Sequence, residues 1–237
     1  MKKIINVLPI IILTLFFLSK NCFAQTNHLP KADKNEKSTA LPISYTHLRN
    51  GDLIFVGAEN EGLSGAIKRS TSNYASYNFD HIGIIEKTND SLFILHAAPK
   101  GGSQREELRQ FYKNQKTKEN SIIIYRLKKD FQYSIPKAIE TAKTMLGKPY
   151  NWKYILNEDE YYCSDFIERA FRKNSIFDHI PMNFKNLETG KIDDFWIELY
   201  EKMNSTVPQD LPGTNPNQLS SSPKLELHGS LELFFPK

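Results

Sequence analysis

The sequence predicts an α+β fold with a small antiparallel sheet, and three observations point there. Short apolar runs bounded by turn residues occupy 53–56, 79–86, 91–97 and 121–127, with the lengths and edges of strands. Apolar residues at helical spacing come later, after Pro136 and after Cys163. Strands and helices that cluster in separate blocks favour α+β over a regularly alternating α/β sheet.

The 237-residue chain begins with Lys2 and Lys3. An apolar run from Ile4 to Leu18 follows, interrupted by Asn6, Pro9 and Thr14, and small residues stand at Cys22 and Ala24. A basic start, an apolar core and a small-x-small end read as a secretory signal peptide over 1–24, cleaved after Ala24. Lipidation at Cys22 is the weaker reading, because Lys20 and Asn21 precede it. The run falls short of the roughly 20 apolar residues of a membrane span, so no stable span is expected after cleavage. The expected location is the cell envelope (periplasm) or the medium. Residues 25–40 are polar, lack apolar periodicity and read as a flexible arm. Residues 41–237 have the length and apolar content of one domain.

Cleavage changes the charge and cysteine count. Lys2, Lys3 and Lys20 leave with the signal, taking the formal net charge from +4 to about +1. No basic patch remains that would argue for nucleic acid. Of Cys22 and Cys163, only Cys163 stays. A single thiol in an oxidising compartment forms no internal disulfide and is either buried and inert or reactive.

Within the domain, Gly51-Asp52 precedes the first strand, 53–56. Residues 63–70 read as a short helix. Strands 79–86 and 91–97 flank a polar turn at 87–90, and 121–127 is an isoleucine-rich third strand. Helix 136–146 has proline in its first turn and Gly147 just past its end. A second helix runs from about 162 to 173. Proline and serine are frequent from 203 to 222, and 225–235 alternates as an edge strand or a packed tail.

Three side chains could carry chemistry. Phe166, Ile167, Ala170 and Phe171 follow Cys163 at spacings that share one helix face. Cys163 is therefore expected in the first turn, facing inward, where N–H groups and partial positive charge lower a thiol pKa and offer donors to an oxyanion. The acids Glu158, Asp159 and Glu160 just upstream would oppose a thiolate. From this helix alone a reactive thiol and a buried, inert one both fit. A four-residue loop at 87–90 pairs Glu86 with Ser91 and brings His81 opposite His96, with Cβ atoms about 4.5–5.5 Å apart on one face. One imidazole can then act as base while the other holds its tautomer and orientation. A Cys-His-His zinc site is a rival use, but the closely spaced ligand pairs of zinc motifs are missing.

The segment Gly147-Lys148-Pro149-Tyr150-Asn151-Trp152, followed eleven residues later by Cys163-Ser164-Asp165-Phe166, resembles the cysteine motif of NlpC-type papain-like hydrolases. Here both histidines precede the cysteine. That order resembles the circularly permuted branch, the YiiX/YebB-like amidases, as do Gly51-Asp52-Leu53-Ile54-Phe55, Asp80-His81-Ile82-Gly83-Ile84 and Tyr162-Cys163-Ser164-Asp165. The resemblance spans 48–171. It implies a permuted papain-like fold with Cys163 as nucleophile, His81 as general base, and His96 as orienting residue where many permuted members carry a carboxylate. It also implies that Tyr150 lines the site near the oxyanion. Tyr162 stands where the usual enzymes often place aspartate and, with Tyr150, is expected to contact substrate. The implied reaction is amide hydrolysis of murein peptides through an acyl-enzyme, with no metal or organic cofactor. The alternatives are a lipid or acyl-ester hydrolase or acyltransferase, and a non-catalytic binding module.

Overall fold

The computed structural model describes residues 40–72, 77–89, 91–116 and 120–233. The signal peptide expected over 1–24, and all of the expected arm but residue 40, lie outside them.

In chain order the elements are β1 (Pro42–Ile43), β2 (Leu53–Gly57), α1 (Gly62–Thr71), β3 (Phe79–Lys87), β4 (Leu92–Ala98), β5 (Gly102–Glu107), α2 (Leu108–Lys116), β6 (Ile122–Leu127), α3 (Ile135–Thr144), α4 (Cys163–Phe171), β7 (Ile180–Met182), α5 (Asp194–Lys202), β8 (Leu211–Gly213), α6 (Pro216–Ser220) and β9 (Leu225–Leu231). Seven strands form one sheet in the order β1-β9-β6-β2-β3-β4-β5, and β7 pairs with β8. The class is α+β as the sequence predicts, but the sheet is larger than expected and mixed, since β1 and β9 run parallel. The tail strand is also not an edge: β9 lies between β6 and β1.

The sheet is covered on both faces, which explains why its central strands read as continuous apolar runs. Phe55, Ile82, Ile84, Leu95 and Ile123 pack against Phe166, Ile167, Ala170 and Phe171 of α4 and Ala138 and Ala142 of α3. Each large side chain buried this way contributes about 1.5–3 kcal/mol. On the other face Ile54, Val56, Ile85, Ile94 and Ile124 meet Leu108, Phe111 and Tyr112 of α2. Asp52 and Arg126 clamp β2 to β6 through two short bonds, 2.7 Å and 2.8 Å, both side chains being buried.

The β3–β4 register differs from the expected one by two residues. Ile84 pairs with Leu95, Ile85 with Ile94, Glu86 with Phe93 and Lys87 with Leu92. Thr88 closes the turn by donating to the Ser91 carbonyl at 2.9 Å. Strand residues alternate faces with period two, so a two-residue shift leaves both histidines on one face. It makes them diagonal neighbours instead of directly opposed ones. Glu86 accounts for the shift: it is buried and paired with Arg105 of β5 and Lys143 of α3, which holds it inside the ladder, one position back from the turn.

Candidate active site

The two imidazoles meet. His81 Nε2 lies 2.8 Å from His96 Nδ1, with the rings edge-on. Phe111 of α2 packs beside both rings, 6.1 Å from His81 and 5.4 Å from His96 between centroids. Room for the diagonal contact comes from Gly83. A Cβ there would fall 2.5 Å from Ile94 Cδ1 and 3.2 Å from His96 Cβ.

Cys163 approaches β3 from the other side of the sheet, lining a small cavity there, whereas His81 and His96 line the larger cleft. The N–H and carbonyl of Ile85 bond Asp52 and Gly51, toward β2. Even-numbered residues of β3 therefore direct their peptide groups toward β4. The β3–β4 ladder ends at Ile84–Leu95. Beyond it, the Ile82 N–H and the Asp80 carbonyl point into the split between the strands, and there they meet Cys163: Sγ is 3.8 Å from Asp80 O, and the Ile82 N–H bonds the sulfur. The α4 N-terminus is thus wedged where β3 and β4 part, beside the residue on β3 that carries one imidazole and across from the strand that carries the other.

The thiol does not have the lowered pKa expected from its helix position. Burial pushes it up to about 12, and the Asp80 carboxylate adds to the rise. The N–H groups of Ser164, Ile82 and Cys163 act in the opposite direction without prevailing. Desolvation of a thiolate outweighs the partial charge of one helix end when the cysteine is 3 % exposed. Two of the upstream acids are engaged elsewhere: Glu158 pairs with Arg169, and Asp159 lies near Lys148.

Tyr150 and Tyr162 part company. An isolated bridge between Tyr150 and Tyr161 brings the Gly-x-Pro-Tyr segment alongside the approach to α4. Ser103 locks that segment to β5, donating its N–H and Oγ to the Lys148 carbonyl and accepting from the Gly147 N–H. Tyr150 then lines a cleft of about 770 Å³ together with His81, His96, Asp80, Glu106 and Trp152. Burial, Tyr154 and Cys163 hold its phenol well above the ordinary value. Tyr162 turns inward instead. It is 1 % exposed, its hydroxyl accepts the Thr214 N–H at 3.1 Å, and it borders a small separate cavity with Cys163, Ile67 and Trp196. This position anchors the chain ahead of the cysteine and leaves no surface for a substrate in the cleft.

Two residues near the site escaped sequence reasoning. Asp80 faces the sulfur, and Glu106 of β5 lies 3.6 Å from His96 Nε2. Among the described residues no group of three or more His, Cys, Asp or Glu side chains is placed to hold a metal ion, and no helix is long and apolar enough to cross a membrane.

Comparison with known proteins agrees with this architecture. Residues 47–227 match the family described as "Permuted papain-like amidase enzyme, YaeF/YiiX, C92 family". No curated protein matches the chain in sequence. Among solved structures, one titled as the metalloprotein yiiX from Escherichia coli O157:H7 superposes with a TM-score of 0.59 at 20% identity, covering 76% of this chain and 95% of that one. At that identity the likeness speaks for the fold.

Proposed function

The chain belongs to the permuted papain-like amidase family, a family of cysteine peptidases and amidases, and from that premise we propose an exported enzyme that cleaves amide bonds of cell-wall murein peptides with Cys163, His81 and His96. The observation that carries the proposal is the 2.8 Å contact between the two imidazoles at the strand split that receives Cys163. Export rests on the signal-like segment 1–24, with 41–237 as the working domain.

The chemistry follows from the resting state. A thiol with pKa near 12 is neutral at physiological pH, so it needs a base when substrate binds. His81 engages His96 through Nε2, which makes Nδ1 the nitrogen to take the thiol proton. The sulfur then attacks the carbonyl, and the N–H groups of the α4 first turn serve the developing oxyanion. The imidazolium gives its proton to the leaving amine. Water, deprotonated by the same ring, hydrolyses the thioester and restores the thiol. The cleft has the size of a small-molecule or peptide site. Glu59, Glu61, Asp80 and Glu106 line it against Lys100, a charge balance suited to a peptide that bears amino groups.

The acyl-lipid alternative draws on the mostly apolar cavity beside Cys163. Its volume of about 30 Å³ holds a water or two and no acyl chain, so the peptide reading is preferred. Purified protein and its Cys163→Ala variant should be compared on murein peptides and on labelled phospholipid. The proposal expects peptide cleavage that the variant lacks, with its circular dichroism unchanged. Undiminished cleavage by the variant, or release of fatty acid only, would overturn it.

A further inference from the structure

We propose that Glu106 is a positioning residue that sets the direction of the His81–His96 hydrogen bond, and so decides which nitrogen of His81 can act as base. The inference rests on the catalytic reading above. His96 is 2 % exposed, and its Nε2 is enclosed without a hydrogen-bond partner among the described residues. The Glu106 carboxylate lies 3.6 Å away, a few tenths of an ångström beyond a hydrogen bond. Glu106 is itself held from α2, where Asn114 Nδ2 donates to Oε1 at 3.1 Å and leaves Oε2 toward the imidazole.

The two tautomers of His96 are not equivalent beside a carboxylate. An ionised carboxylate only accepts. With the proton on Nε2, His96 presents an N–H to Glu106. With the proton on Nδ1, it would present a lone pair to a negative charge inside a buried site. Glu106 therefore selects the Nε2–H form. The bare Nδ1 of His96 must then accept from His81 Nε2–H, which leaves His81 Nδ1 as a lone pair able to take the thiol proton. The reversed bond would put the proton of His81 on Nδ1, where it cannot act as base. Charges from the surrounding elements also act on the pair: Asp80 of β3, Glu59 and Glu61 ahead of α1, and Lys100 between β4 and β5 line the same cleft. Among the described residues, only Glu106 lies within ion-pair distance of His96 Nε2.

The test compares wild-type protein with Glu106→Gln, an isosteric change that can accept or donate, and with Asn114→Ala, which frees the carboxylate to turn away. Long-range ¹H–¹⁵N spectra report the tautomers. Wild type is expected to hold His96 as the Nε2–H form. Glu106→Gln is expected to mix the tautomers and lower kcat on the order of tenfold or more with little change in KM. Asn114→Ala should fall between. A wild-type His96 protonated on Nδ1, or spectra unaltered in Glu106→Gln, would overturn the inference. The spectra need no turnover, so this result stands apart from the Cys163→Ala assay: loss of the catalytic reading shows there, and failure of the Glu106 assignment shows here.

Discussion

Alkylation of Cys163 tests the resting state that the structure describes. Burial and Asp80 raise this thiol from 9.0 to about 12. At any pH below 9 the thiolate fraction is then lower by about three orders of magnitude than in an unfolded chain, and the thiolate is the species that iodoacetamide attacks. Near pH 7.5 an ordinary cysteine is a few per cent ionised, whereas this one is ionised to roughly 3 parts in 10⁵. The assay is the pseudo-first-order rate of iodoacetamide addition to a Cys22→Ser protein, followed by intact mass from pH 6 to 10, folded and in urea. Below pH 9 the folded rate should lie about a thousandfold below the unfolded one, and it should climb about tenfold per pH unit across the whole range. Rapid labelling that levels off between pH 5 and 8 would mean a standing thiolate–imidazolium pair. It would refute the argument that desolvation prevails at this helix end.

Two further expectations concern the scaffold. Gly83→Ala puts a methyl 2.5 Å from Ile94 Cδ1 and 3.2 Å from His96 Cβ, so it should cost about 1–3 kcal/mol in urea unfolding and depress turnover by moving His96; an alanine variant as stable and active as wild type would remove Gly83 from the account. Asp165, buried with Oδ2 lacking a partner among the described residues, has its carboxyl pushed from 3.8 up to about 7 by burial, against the opposing pull of Arg169. Because the folded form binds this proton more tightly, its contribution to stability is complete below about pH 4 and is lost as pH rises through about 7. The urea midpoint should therefore decline more between pH 5 and 8 in wild type than in Asp165→Asn, and parallel profiles would contradict the raised value.

The parts of the fold that sequence made visible are those with strong periodicity. Leu53 to Val56 and Ile122 to Leu127 read as strands because they are buried on both faces. Pro136 and Gly147 bracket α3, because proline suits a helix's first turn and glycine the residues past its end, and Cys163 opens α4 where the helical apolar spacing begins. β5 was illegible by composition. Its Ser103, Gln104, Arg105, Glu106 and Glu107 are polar, since an edge strand packs little. Yet Pro99-Lys100-Gly101-Gly102 carries a turn signal, and the two glycines adopt positive φ there. That turn, taken with the alternation of Gln104 and Glu106, is the signal from which Glu106 was recoverable. The two-residue error in register came from placing the turn by its polarity, when the buried ion pairs of Glu86 with Arg105 and Lys143 extend the ladder. Sequence gave no access to the thiol environment, because a helix N-terminus says nothing of how deeply the strand split encloses it.

The most direct measurement is intact-mass analysis of wild-type protein quenched in acid during turnover of a murein peptide, followed by mapping of the adduct. The account expects a transient mass gain equal to the acyl half of the substrate, carried by Cys163 alone. Continued turnover with no adduct at any time point, or an adduct on a different side chain, would contradict it.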